Sequence, residues 1–334
     1  MNISDLVVGT SSLPGVFPRF VGTKVLDDAQ YFGLISNTVS DSVQEYSMTG
    51  VKEAIRNAYF WALANDVELW LLPELCLGRE GYDYLRSLID KDQGRLRMVL
   101  MGSMYTAGGA NQARVWSTAS PIANYDKIIP FHMQTDTKSK VPDIQKISRE
   151  AESLDKHLLQ EDFQPGSNVL TLRLGDYIVG IAICRDVLDP FDPRNPLIRY
   201  LSKKVDIMLV TSMNSGHTNL FTATAESMAR WHGCATFYVN NISSVASSDD
   251  KTVEMSFALL PKSDRIDGIQ GCVYYRAAPG IMGLEGIEKD AADTTVSNVL
   301  NSVVSGDVVV KSLPTDGNAL YKIRGGKLLD GENE

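Results

Sequence analysis

Runs of consecutive apolar residues alternate along this chain with stretches in which apolar positions recur every three or four residues. The first kind predicts strands buried on both faces, the second helices lying on a sheet. Val67-Glu68-Leu69-Trp70-Leu71-Leu72 is one such run, and it closes in Pro73-Glu74. Proline cannot donate to a strand ladder, so Pro73 marks that strand's end. Tyr177-Ile178-Val179-Gly180-Ile181-Ala182-Ile183 is another, and it closes abruptly in Cys184-Arg185-Asp186. Val115 to Ser120 and Ile122 to Tyr125 read as two strands around a turn at Pro121. The full pattern predicts helix 50–65, strand 67–73, strand 98–105, strands within 113–126 and 168–184, helix 195–204, strand 205–211, helix 219–233 and strand 234–241. Such alternation predicts an α/β domain with helices covering a sheet. In helix 219–233, Phe221, Ala225, Met228 and Ala229 recur at helical spacing and are expected in the core. Leu320-Tyr321-Lys322-Ile323 predicts one more strand near the end of the chain.

The predicted strand ends carry reactive groups. Cys184 stands where α/β enzymes place them, at the carboxyl end of a core strand. Alone it would be read as structural, since free cysteine is among the most buried residue types. Glu74 alone would be a solvated loop carboxylate. Lys127 alone would be a surface lysine, although Ile128-Ile129-Pro130-Phe131 surrounds it with apolar residues. The three together change the picture, because a thiol needs a neighbouring base to become a nucleophile, and an attacked carbonyl needs a fixed positive charge.

Glu, Lys and Cys in this order at three strand ends resemble the nitrilase superfamily, the carbon–nitrogen hydrolases. The resemblance covers roughly residues 28 to 285. It rests on the strand before Glu74, Tyr125-x-Lys127, the elbow Gly180-x-x-x-Cys184-x-Asp186, and a later helix and strand ending in Asn241. Tyr125 to Phe131, and Glu161-Asp162-Phe163-Gln164-Pro165-Gly166, look most like the aliphatic amidase branch. The resemblance implies a four-layer αββα sandwich with no metal and no organic cofactor. It implies Cys184 as nucleophile and Glu74 as general base. Lys127 would stabilise the oxyanion with the N–H of Arg185, and Glu161 would serve as second carboxylate. The reaction implied is hydrolysis of an amide through a thioester. Nitrile hydrolysis, acyl transfer to another acceptor, and a nitrilase-like scaffold without catalysis are the alternatives. Candidate substrate-binding residues are Arg185, Met213 and Asn214. Relatives of this kind form homo-oligomers, so a dimer or larger is expected.

On this reading residues 1–27 form an N-terminal extension, 28–285 the hydrolase domain with its first strand at Gln30–Ile35, and 286–334 a tail available for contact between copies. The chain departs from the amidase pattern between about 132 and 160, where a long polar insertion would be a lid, an oligomer contact or a disordered loop. The insertion also supplies a rival lysine, Lys156, five residues before Glu161. Lys127 is preferred because it follows a strand and a tyrosine. Arg185 would either lower the thiol pKa or bind an acidic substrate group, or else pair with Asp186, Asp189 or Asp192. The loop from Asp186 to Asn195 also departs from the family's usual wording.

Composition narrows the field further. The chain has 334 residues, 44% of them apolar, enough for one large core. A formal net charge of −9 argues against nucleic acid or an anionic membrane as partner. No apolar run approaches the length of a membrane span, and the first residues lack the features of a secretory signal. Four cysteines, Cys76, Cys184, Cys234 and Cys272, show no paired spacing, which predicts reduced thiols and a cytoplasmic setting. The four histidines are scattered and are not expected to bind metal.

Overall fold

The computed structural model describes residues 5–13, 20–23, 48–91, 94–118, 123–138, 142–188, 204–214, 218–241, 256–266, 269–277, 308–313 and 318–324. Two large sheets are built around parallel strands. The first contains β1 (Asp5–Ser11), β3 (Leu69–Leu72), β4 (Met98–Tyr105), β5 (Asn111–Ser117) and β6 (Ala123–Asp126), together with β15 (Val308–Leu313) and β16 (Asn318–Arg324). Its order is β15-β16-β1-β3-β4-β5-β6. The second contains β9 (Thr171–Leu174), β10 (Tyr177–Ile183), β11 (Ile207–Ser212), β12 (Ala235–Asn240), β13 (Ser256–Ile266) and β14 (Ile269–Ala277), in the order β14-β13-β12-β11-β10-β9. β1, β3 and β4 run parallel, as do β10, β11 and β12. A small third sheet joins β2 (Phe20–Thr23), β8 (Leu158–Glu161) and β7 (His132–Gln134).

Four helices flank these sheets among the described residues: α1 (Met48–Ala64), α2 (Arg79–Ile89), α3 (Pro142–Ser153) and α4 (Thr218–His232). Alternation along each strand assigns the faces. Leu69, Leu71, Met98 and Leu100 point inward and share one core with Ile181, Ile183 and Leu209 of the second sheet. Trp70, Leu72, Val99 and Met101 point outward and pack against Ile55, Tyr59 and Ala62 of α1 and Tyr82, Leu85 and Ile89 of α2. On the far side, Phe221, Ala225, Met228 and Ala229 of α4 pack with Tyr238 and Phe257. The result is a four-layer αββα sandwich. All four residues of β3 are buried, which explains why that segment reads as an unbroken apolar run. Burying a single Leu of such a strand contributes about 1.5–3 kcal/mol.

The regions outside the central strands also contribute to the sheets where they are described. Near the start of the chain, β1 sits within the first sheet, parallel to β3, and β2 pairs with β8. Near the end, β16 pairs antiparallel with β1 along the whole strand, and β15 pairs with β16. Between 132 and 161, β7 pairs with β8 in the small sheet, and α3 lies between them in the chain. The predicted strand at 30–35, the predicted helix at 195–204 and the loop containing Asp189 and Asp192 lie outside the described residues. No helix among the described residues is long and apolar enough to cross a membrane.

Candidate active site

Strand direction decides which residues meet. β3, β10, β11 and β12 end at one edge of the sandwich, and β6, parallel to β4 through two antiparallel steps, ends there too. β5 runs the other way and begins at that edge, with Asn111.

Glu74 follows β3 in a turn that β4 makes room for. β4 shifts register between Leu100 and Ser103, as at a bulge. Gly102 lies in that shift with φ +68, and a Cβ on it would stand 2.4 Å from the Pro73 carbonyl oxygen. Only glycine fits both the dihedral and the space. The Leu75 N–H donates to Ser103 Oγ at 3.1 Å, and Leu75 itself has φ 54. On the other side, the Glu74 N–H donates to the Ser212 carbonyl at 3.3 Å, and Asn241 Nδ2 donates to the Glu74 carbonyl at 3.0 Å. The turn is thereby tied to the ends of β11 and β12.

Lys127 is 1% exposed and bridges two carboxylates. Its Nζ donates to Glu74 Oε1 at 2.8 Å and to Glu161 Oε2 at 2.6 Å. Asn111 Nδ2 spans the same pair, reaching Glu74 Oε1 at 2.9 Å and Glu161 Oε1 at 3.0 Å. Glu74 Oε2 accepts from the Met213 N–H at 2.9 Å, and Glu161 Oε2 also accepts from the Phe131 N–H at 3.2 Å. The Phe163 ring lies 5.8 Å from the ammonium, within cation–π range. Glu74 and Glu161 are each 1% exposed. Burial raises the Glu74 carboxyl, Lys127 opposes it, and Glu161 pushes it further up. Burial alone would pull the Lys127 ammonium down, but Glu161 and Glu74 outweigh it and hold the group well above its ordinary value.

Cys184 begins a single turn of 3-10 helix, Cys184–Val187, directly after β10. Its φ is 47, the left-handed region that a residue with a side chain adopts at a cost of about 1–3 kcal/mol. The thiol is pushed up to about 12, first by burial and next by Glu74, while Lys127 and the Ser212 hydroxyl draw it down. Asp186, two residues on, anchors the lysine loop. Its carboxylate accepts from Tyr125 Oη at 2.7 Å, from the Ile129 N–H at 2.7 Å and from the Ile128 N–H at 3.1 Å. The Tyr-x-Lys and Cys-x-Asp motifs are thus two halves of one contact. Burial lifts Asp186 to about 7 against the pull of Lys127 and these donors. The Gly166 N–H donates to the Lys127 carbonyl at 2.8 Å, and a Cβ on Gly166 would stand 2.4 Å from the Asp126 carbonyl oxygen.

No family model matches this chain, and no curated protein matches it. Among solved structures, an amidase from Nesterenkonia sp. aligns at 15% identity with a TM-score of 0.43, covering 72% of this chain and 78% of that one. A variant of the Nesterenkonia AN1 amidase, described as from the nitrilase superfamily, aligns at 14% identity with a TM-score of 0.44 over 72% of this chain and 78% of its own. A glutamine-dependent NAD+ synthetase from Acinetobacter baumannii aligns at 14% identity with a TM-score of 0.43, over 71% of this chain and 38% of its own.

The structure brings Glu74, Lys127, Glu161 and Cys184 together. Lys127, not Lys156, holds the two carboxylates. Met213 reaches the site through its backbone N–H, and Asn214 is buried, its N–H donating to Asn240 Oδ1 at 2.8 Å. Arg185 is half-buried beside Cys184. Asn111, Phe163 and Ser212 are the residues that sequence reasoning missed. Asn111 follows Gly108-Gly109-Ala110 and looks like the end of a turn, and nothing in one sequence shows that β5 starts at the edge where Glu74 and Cys184 lie. Among the described residues no group of three or more His, Cys, Asp or Glu is arranged to hold a metal ion, and Cys76, Cys184, Cys234 and Cys272 form no disulfide.

Proposed function

We propose that this chain is a carbon–nitrogen hydrolase of the nitrilase superfamily that cleaves an amide through a thioester on Cys184. The observation that supports this reading is the buried Lys127 bridge between Glu74 and Glu161 beside a thiol on a strained strand-end turn.

Charge explains how such a thiol reacts. With both carboxylates ionised, Lys127 protonated and the thiol neutral, the cluster carries a single net negative charge. Losing the thiol proton to solvent would double that charge in a dry site, which burial forbids. Passing the proton to Glu74 leaves the total unchanged. Sulfur therefore attacks the carbonyl carbon as its proton moves to Glu74. Negative charge grows on the carbonyl oxygen. Two of the three Lys127 ammonium protons are committed to Glu74 and Glu161, and the third is available to the oxyanion with the Arg185 N–H. Glu74 then returns its proton to the departing nitrogen, the C–N bond breaks, and the thioester remains. Water attacks the thioester carbon as Glu74 takes its proton, and the thiol leaves protonated. Glu161 and Asn111 hold Lys127 and Glu74 in register throughout, so neither has to reorganise during the reaction.

The test is intact-protein mass after exposure to a panel of small amides. An acyl-sized mass increase is expected on the wild type and more persistently on Glu74→Gln, with none on Cys184→Ala. No adduct and no released ammonia from any amide, with Cys184 inert to a small alkylating agent, would overturn the reading.

A further inference from the structure

We infer that the Ser212 hydroxyl is an additional donor to the reacting sulfur, holding the Cys184 thiolate at the moment of attack; this rests on the proposed role of Cys184. β10 and β11 run parallel with Ile183 opposite Thr211 as the last pair, and Cys184 and Ser212 are the residues that follow it on the two segments. Ser212 is fully buried. Its main chain is fixed from both sides, because its carbonyl accepts from the Glu74 N–H at 3.3 Å and from the Asn241 N–H at 3.1 Å. Its Oγ, by contrast, is buried without a hydrogen-bond partner in the protein. A hydroxyl in that condition costs stability unless something occupies it. The nucleophile is its neighbour, and the hydroxyl is one of the groups that draw the thiol's pKa down.

A neutral thiol makes only a weak acceptor, so Ser212 gains little in the resting state. Once sulfur carries charge, the same contact becomes a charge-assisted hydrogen bond of about twice the ordinary strength. The donor is thus held in waiting and acts differentially on the charged form, which is the requirement for catalysis. The charged groups facing the sulfur are Glu74 from the turn after β3, Lys127 from the loop after β6 and Glu161 from the end of β8. Arg185 follows it in the chain. Of these, Glu74 and Glu161 oppose the thiolate, so a neutral donor adds support without adding net charge.

The experiment follows iodoacetamide alkylation of Cys184 against pH in the full-length protein, read from the mass of the peptide carrying it. Cys184→Ala serves as control, and Ser212→Ala and Ser212→Thr are compared with wild type. Ser212→Ala is expected to fold, because the oxygen removed bonds to nothing in the frame; thermal unfolding checks this. Its alkylation profile is expected to shift to higher pH by about one unit, with a rate near neutrality about tenfold lower, since one pKa unit is tenfold in equilibrium. Ser212→Thr, which keeps the hydroxyl, should restore most of the profile. An alkylation profile for Ser212→Ala that overlays wild type, with or without lost stability, overturns the proposal and leaves the thioester reading standing. A Cys184 that resists alkylation at every pH in wild type overturns both.

Discussion

Lys127 carries the positive charge that lets two carboxylates be buried a few ångströms apart. Removing one partner of a buried ionic group leaves the others uncompensated, at about 3–5 kcal/mol. Lys127→Met should lose stability on that scale and turnover altogether. Adding Glu161→Gln should restore part of the stability and none of the activity, as urea unfolding and amide turnover would show. Asp186 supplies a pH signature. Its folded value, about 7, lies above the ordinary carboxylate value of 3.8. A group raised in this way binds its proton more tightly when folded. Its stabilising contribution is therefore present below the unfolded value and is lost as pH rises through about 7. Unfolding free energy measured at pH 5 and pH 8 should fall across the interval in wild type. The fall should be smaller in Asp186→Asn, and an equal fall in both would show that Asp186 does not titrate there. Neither effect was visible in the residue types alone. Asp186 read as a partner for Arg185, but the fold carries it inward to Tyr125 and the Ile128 and Ile129 amides.

At the scale of elements, the site depends on places where one backbone passes close to another. Gly166 crosses the end of β6, with no room for a methyl group against Asp126. Gly166→Ala should push the Lys127 segment outward. Overpacking of this kind costs about 1–3 kcal/mol, and the displaced ammonium should cost turnover more than the lost stability explains. Comparing turnover and melting temperature with those of Gly108→Ala, where the added carbon would meet only Thr106 Oγ1 at 3.8 Å, separates the two effects. The central strands were legible because burial on both faces leaves long apolar runs: β4 occupies the predicted span, and α1, α4, β11 and β12 fall within a few residues of theirs. The shorter elements were not. β7 and β8 are three and four residues long, and α3 is mostly polar. Such segments take their conformation from the sheet they join more than from their own pattern.

Across the whole molecule, the first sheet is completed from both ends of the chain. β1 lies between β3 and β16, and β16 covers its full length. Deleting residues 308–334 should therefore do more than trim a tail. It should expose the β1 edge, lower the urea midpoint and promote association through the unpaired strand; a truncated protein as stable and as monodisperse as the full chain would contradict this. The apolar runs within 67–73, 98–105, 177–183 and 205–211 determined by themselves that the chain would form buried strands. The residues closing three strands pointed to the chemistry proposed for the site, since a thiol, a carboxylate and an ammonium at strand ends are legible from position and type. Tertiary structure decided the rest. It set β1 beside β3, made β8 the support of Glu161, and started β5 at the edge that holds Glu74 and Cys184, so that Asn111 joins both carboxylates. The physical reason is that periodicity records whether a segment is buried, whereas strand order and direction are set by which hydrogen-bonding edges and apolar faces close together in space.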